Sequence, residues 1–210
     1  MPDHRSLLIV FYKNPQQGKV KTRLAATIGD EPALRIYDRL CDHTLRITRD
    51  LPVDKAVFYS ETIDTDDRWP SAQYKKHIQS GASLGDRMSH AFQSGFRSGY
   101  TAICIIGTDC YELTSAIIRQ AFAQLEEFDT VIGPAFDGGY YLLGMKTFHP
   151  TLFISKAWST DSVLDATLAD FDALELRYHA LPSLNDVDEE RDIPADLLYL
   201  TDSTSQRGRG

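Results

Sequence analysis

Leu7-Leu8-Ile9-Val10-Phe11 runs directly into Tyr12-Lys13-Asn14-Pro15-Gln16-Gln17-Gly18-Lys19-Val20-Lys21-Thr22-Arg23-Leu24. The first five residues form a continuous apolar run, the pattern of a strand covered on both faces. The next segment is a basic loop with a glycine at its centre. A buried strand that empties into a charged loop is the opening unit of an open α/β sheet, in which ligands bind beyond the carboxyl ends of the strands.

The same alternation continues along the chain. Asp30-Glu31-Pro32 predicts a helix start, and Leu34, Tyr37, Cys41, Thr44 and Thr48 give that helix an apolar face. Strands are predicted at Lys55–Ser60, more weakly at Gln73–Gln79, then at Thr101–Ile106, Thr130–Gly133, Tyr140–Met145 and Leu176–Leu181. Helices are predicted at Leu84–Phe96, Thr114–Glu127, Asp161–Ala173 and Ile193–Leu200. Strands alternating with helices predict a three-layer α/β/α, Rossmann-like domain with a mixed, mostly parallel sheet. Residues 1–200 are expected to form a single domain, and the polar tail Thr201–Gly210 to be disordered.

Composition narrows the function. The 210 residues carry a net charge of −8, which disfavours binding to nucleic-acid phosphates. No stretch approaches the ~20 apolar residues of a membrane span, and Ser6 to Phe11 is too short for the apolar part of a signal peptide. A cytoplasmic location is expected. Cys41, Cys104 and Cys110 are too scattered for a disulfide framework. The histidines show no zinc spacing, and no nucleophile elbow is present.

Four loops carry the candidate chemistry. In the first, Lys13, Lys19, Lys21 and Arg23 fall within eleven residues around Gly18. Lysine as a point charge and arginine as a fork both suit phosphate oxygens, and the segment that follows can begin a helix. The P-loop spacing is not met, and a solvated basic loop is the alternative. In the second, Gly107-Thr108-Asp109-Cys110 puts a carboxylate at the end of an apolar strand, suited to a divalent cation or to capping the next turn. The third, Gly133-Pro134-Ala135-Phe136-Asp137-Gly138-Gly139-Tyr140-Tyr141, reads as a hairpin turn or as a backbone surface with an aromatic wall. The fourth, Asn185-Asp186-Val187-Asp188-Glu189-Glu190-Arg191-Asp192, is either a solvated acidic entry, with Asp192 capping the last helix, or the source of a second metal carboxylate from Asp188 or Asp186. Gln79 to Met88 is a further glycine-bearing loop that feeds a helix, suited to holding a nucleotide base or simply to turning the chain.

Taken in order, FYKNPQQGKVKTRL, GTDCYEL, GPAFDGGYYLLG and LNDVDEERDI resemble a family of small bacterial glycosyltransferase-like proteins. This family lies in the nucleotide-diphospho-sugar transferase superfamily, with the GT-A type fold. The chain is similar, more distantly, to guanylyltransferases of cofactor biosynthesis. The resemblance implies that Lys13, Gly18, Lys21, Thr22 and Arg23 form the nucleotide-phosphate loop, with Gly85 and Thr108 also on the nucleotide. It implies Asp109 and Asp188 as ligands of Mg²⁺ or Mn²⁺. Gly138, Gly139 and Tyr140 fall on the acceptor side, with Asp137 as base and Lys21 and Arg23 stabilising developing charge. Two positions depart from the family pattern: Tyr111 stands where proline is usual, and Ser83 where many relatives carry an acid. Three functions follow as expectations. They are glycosyl transfer from a nucleotide sugar to a small acceptor, nucleotidyl transfer from a nucleoside triphosphate to a phosphorylated small molecule, and a non-catalytic nucleotide-binding module. Oligomeric state is left open.

Overall fold

The computed structural model describes residues 5–202; most of the predicted disordered tail lies outside them. Seven strands form one sheet in the order β3-β2-β1-β4-β6-β5-β7. They are β1 (Ser6–Tyr12), β2 (Asp54–Tyr59), β3 (Tyr74–Ile78), β4 (Ala102–Ile106), β5 (Thr130–Pro134), β6 (Tyr140–Met145) and β7 (Tyr178–Ala180). The helices are α1 (Thr22–Ile28), α2 (Asp30–Thr48), α3 (Leu84–Arg97), α4 (Ser115–Glu127) and α5 (Val163–Ala173). All strand pairs are parallel except those of β6, which lies antiparallel between β4 and β5. The chain turns back between Pro134 and Tyr140, and so short a connection can only reverse direction.

The central strand explains the layers. Leu8, Val10 and Tyr12 point into a core shared with Tyr37 and Cys41 of α2 and Ile118, Ala121 and Leu125 of α4. Leu7 and Ile9 point into the opposite core, with Met88 and Phe92 of α3 and Phe171 of α5. A strand alternates its side chains between faces, so an uninterrupted apolar run is what two cores demand.

Local chemistry sets the helix ends. Ser83 accepts from the Asp86 backbone N–H at 3.1 Å, while Asp86 accepts from that of Ser83 at 3.0 Å, a reciprocal cap for α3. The unusual serine of the sequence is therefore committed to starting a helix. Three expectations are corrected. The last helix is a 3₁₀ turn at Ala195–Leu200. Asp192 does not cap it; its carboxylate instead accepts from the Asp188 and Glu189 N–H groups and closes the preceding turn. The predicted strand at Leu176–Leu181 shortens to Tyr178–Ala180.

Candidate active site

The carboxyl ends of β1, β2, β3 and β4 open on one cavity of about 840 Å³, and the amino end of β6 reaches it from the opposite direction. The loop after β1 enters first. Tyr37, buried in α2, holds it: the Lys13 N–H donates to the phenol oxygen at 3.1 Å, and the phenol donates to the Lys13 carbonyl at 2.7 Å. The Thr108 hydroxyl donates to the same phenol at 3.3 Å. One side chain thus ties the loop after β1 to the loop after β4, and burial raises its pKa far above the ordinary tyrosine value. Helical spacing marks Tyr37 only as apolar, so this role is not visible in the sequence. Asn14 ties the same loop to the next strand, its side chain donating to the Thr62 carbonyl at 2.8 Å and accepting from the Glu61 N–H at 3.0 Å.

The charges converge at Lys21. Its ammonium lies 2.9 Å from Asp109 Oδ1 and 3.0 Å from Asp188 Oδ1, with the side chain only 4% exposed. Arg23 donates to the other Asp188 oxygen at 2.6 Å. Burial alone would lower the Lys21 pKa, but Asp109 and Asp188 outweigh it and raise it above the ordinary value. Asp188 shows the mirror image: burial pushes its carboxyl up, and Lys21 with Arg23 brings it below the usual range. The Asp188 loop is carried here by the backbone, because the Val187 N–H donates to the Asp109 carbonyl at 3.0 Å. Lys21 adopts left-handed backbone angles, φ 48° and ψ 46°, at the residue before α1. That conformation is unfavourable for a residue with a Cβ.

Asp186 joins these carboxylates on the cavity wall. Burial, then the Asp109 charge, pushes its pKa up to about 7. The sequence placed it on equal terms with Asp188, and nothing in the local pattern separates a carboxylate that meets a lysine from one that does not. Among the described residues no three His, Cys, Asp or Glu side chains converge tightly enough to hold a metal by themselves.

The turn between β5 and β6 supplies the far wall. The hairpin and binding-surface readings of this segment hold together, since Asp137, Gly139 and Tyr140 of the turn line the cavity. Asp137 Oδ1 accepts from the Gly139 N–H at 2.9 Å, which fixes the carboxylate within its own turn. Tyr140 and Tyr141 both line the cavity; the Tyr141 ring also covers Gly133, and its hydroxyl donates to the Pro182 carbonyl at 2.9 Å. Gly138 has φ 86°, and a Cβ there would sit 2.1 Å from the Asp161 carbonyl oxygen, so only glycine fits.

Lys13, Lys21, Thr22, Arg23, Thr108, Asp109, Asp137, Gly139, Tyr140 and Asp188 therefore share one cavity. Gly18, Gly85 and Gly138 are not among its lining residues. Gly85 is covered by Trp158, whose indole nitrogen would be 2.3 Å from an added Cβ. Trp158, with Ser159, Thr160 and Asp161, comes from the loop before α5, which carried no sequence signal. The three cysteines are buried, and burial raises their thiol pKa values, that of Cys41 to about 12; none is primed as a nucleophile.

The sequence pattern of a bacterial family described as "Uncharacterized protein conserved in bacteria (DUF2064)" matches residues 44–160. A solved structure from Desulfovibrio desulfuricans G20, provisionally described as a nucleotide-diphospho-sugar transferase, superposes with a TM-score of 0.82 and 33% identity, covering 96% of this chain and 89% of its own. The chain belongs to this family. Its fold is that of the nucleotide-diphospho-sugar transferases, GT-A type. Two more distant structures share the fold. The inositol-1-phosphate CTP transferase of T. maritima matches at 13% identity and TM-score 0.55, covering 96% of both chains. The 4-diphosphocytidyl-2C-methyl-D-erythritol synthase of Anaerococcus prevotii DSM 20548 matches at 6% and 0.56, covering 95% of this chain and 96% of its own. No curated protein sequence matches the chain. No helix among the described residues is long and apolar enough to cross a membrane.

Proposed function

We infer that the protein is a metal-dependent glycosyltransferase that takes its sugar from a nucleotide diphosphate. The observation that carries this reading is the Lys21–Asp109–Asp188–Arg23 network facing Asp137 across one cavity at the carboxyl edge of the sheet. Mg²⁺ characteristically uses one or two carboxylates and completes its shell with water and substrate phosphates. Two carboxylate oxygens within 3.0 Å of a single cation position fit that requirement. Asp109 and Asp188 would hold Mg²⁺ or Mn²⁺, which when bound supplies charge neutralisation to the diphosphate. Lys13, Lys21 and Arg23 bind the phosphate oxygens and stabilise the charge that develops as the donor bond breaks. Asp137, held by its own turn, takes the proton of the acceptor hydroxyl. Thr160 and Trp158 border the space left for the acceptor.

Nucleotidyl transfer is the second reading. It is favoured by the two distant neighbours, one named a CTP transferase and the other the synthase of a diphosphocytidyl compound. Here a phosphorylated acceptor would attack the α-phosphorus of a nucleoside triphosphate and release pyrophosphate.

A thermal-shift screen separates the readings, with nucleoside triphosphates against nucleotide sugars, each in EDTA, Mg²⁺ or Mn²⁺. A ligand at 100 times its Kd adds about 2.7 kcal/mol, or roughly 5–10 °C for a chain of this size. A metal-dependent rise with one nucleotide sugar supports glycosyl transfer. A rise with a triphosphate alone supports nucleotidyl transfer. No rise with either class refutes both, and a rise that is equal with and without metal leaves a non-catalytic nucleotide-binding module.

A further inference from the structure

Lys21 lines the cavity, but its ammonium is already committed to carboxylates. Its ammonium is engaged by two carboxylates at 2.9 and 3.0 Å, and Arg23 is turned onto the second of them at 2.6 Å. The same two carboxylates are those the proposed function assigns to the metal. Cation and anion partners of the site thus cancel each other across 167 residues of sequence. The backbone gives a second, independent sign. Lys21 sits in a left-handed conformation that glycine or asparagine would adopt more readily. A strained residue persists where its surroundings over-determine it, and such strain concentrates at clamps and switches.

We propose that Lys21 is a stand-in cation, displaced from Asp109 and Asp188 when a divalent metal arrives and thereby released, with Arg23, onto the diphosphate of the donor. The inference rests on the metal-dependent reading of this site. Its physical content is a coupled exchange of partners. Metal alone must evict an ammonium that has nowhere better to go. A nucleotide alone must draw Lys21 and Arg23 away from carboxylates that are then left uncompensated. Arriving together, each meets the groups that the other sets free, so each raises the affinity of the other by the same factor. Lys13 lines the same cavity with no ion-pair partner among the described residues, and takes no part in the exchange.

The test is Mn²⁺ binding to the intact protein, read by the electron paramagnetic resonance of the free ion. It compares wild type, Lys21→Met and Lys13→Met, alone and with UDP, CDP or GDP in turn. The expected result runs against the usual effect of mutating a site: Lys21→Met binds Mn²⁺ alone at least tenfold more tightly than wild type. Lys13→Met removes the same charge and changes the affinity by less than threefold. In wild type a nucleoside diphosphate tightens Mn²⁺ at least tenfold, and this coupling shrinks in Lys21→Met. Amine acetylation read by mass spectrometry gives the companion result, with Lys21 protected in EDTA and modified once Mn²⁺ is added. Equal tightening in both variants reduces the effect to the general field of the pocket and overturns the exchange. Unchanged or weaker Mn²⁺ binding in Lys21→Met also overturns it, while wild-type binding with a diphosphate leaves the functional reading standing. If no protein binds Mn²⁺ under any condition, both fall.

Discussion

Replacing Lys21 tests two independent features of the site at once, its ion pairs and its backbone. Removing one partner of a buried ion pair destabilises by about 3–5 kcal/mol, because a charge is left uncompensated. Here the carboxylates keep contact with water, Asp109 at 44% exposure and Asp188 at 25%. Screening brings the expected loss for Lys21→Ala to about 2 kcal/mol. At roughly 2–4 °C per kcal/mol, that lowers Tm by about 4–8 °C. Lys21→Gly loses the same ion pairs but relieves the left-handed strain, which is worth about 1 kcal/mol. Glycine is therefore expected to be the more stable variant, the reverse of the usual order inside a helix. Urea unfolding in EDTA, followed by circular dichroism, measures both. The pH dependence has a defined sign. Asp188 titrates below its ordinary value in the folded state, so its share of the stability is present above about pH 4 and fades as pH falls. Lys21 titrates above its ordinary value, so its share is present through neutral pH and fades only as pH rises beyond about 10.5. The gap between wild type and Lys21→Ala thus narrows at both ends, and it widens as pH rises through about 7, where Asp186 ionises and Lys21 lowers its carboxyl pKa. An alanine variant as stable as the glycine variant, or both within about 0.5 kcal/mol of wild type, would refute the reasoning.

Three further outcomes are expected. Gly85→Ala drives a Cβ against the Trp158 indole and destabilises by about 1–3 kcal/mol; the penalty largely disappears in a Trp158→Ala background, as a double-mutant unfolding cycle will read. Tyr37→Phe unties Lys13 from Thr108 and leaves their polar groups without a partner, lowering stability by about 1–3 kcal/mol and weakening nucleotide binding in calorimetry. Once a donor and acceptor are known, Asp137→Asn should reduce kcat about 10²–10⁴-fold with unchanged Tm, and a smaller loss would remove Asp137 from the role of base.

The fold was readable because the central strands announce themselves by composition. Leu7–Phe11 and Thr101–Ile106 are apolar without interruption, as strands between two cores must be, and Ser83 with Asp86 carries the signature of a helix start. The candidate site was readable where chemistry clusters locally, as Lys13 to Arg23 do around Gly18. It was not readable where partners are distant in sequence. Lys21 meets Asp188 across 167 residues, and the backbone bond from Val187 to Asp109 that brings the two loops together leaves no mark in the sequence. Tyr37 keeps the spacing of an apolar face while its hydroxyl carries the loop. Gly85 has the look of a ligand-facing glycine, yet a tryptophan from a loop without any motif lies over it.

The bond between Val187 and Asp109 also sets when the site can exist. The sheet from β1 to β6 is complete by Met145, and most of both cores with it. The charge pairing that defines the pocket waits for residues 186–188 to dock beside a strand made some eighty residues earlier. A growing chain would therefore hold its scaffold before it holds its electrostatics. During that interval Lys21 has only half of its counter-charge, and a fragment ending before Asp186 would present the cavity without the carboxylate that balances it.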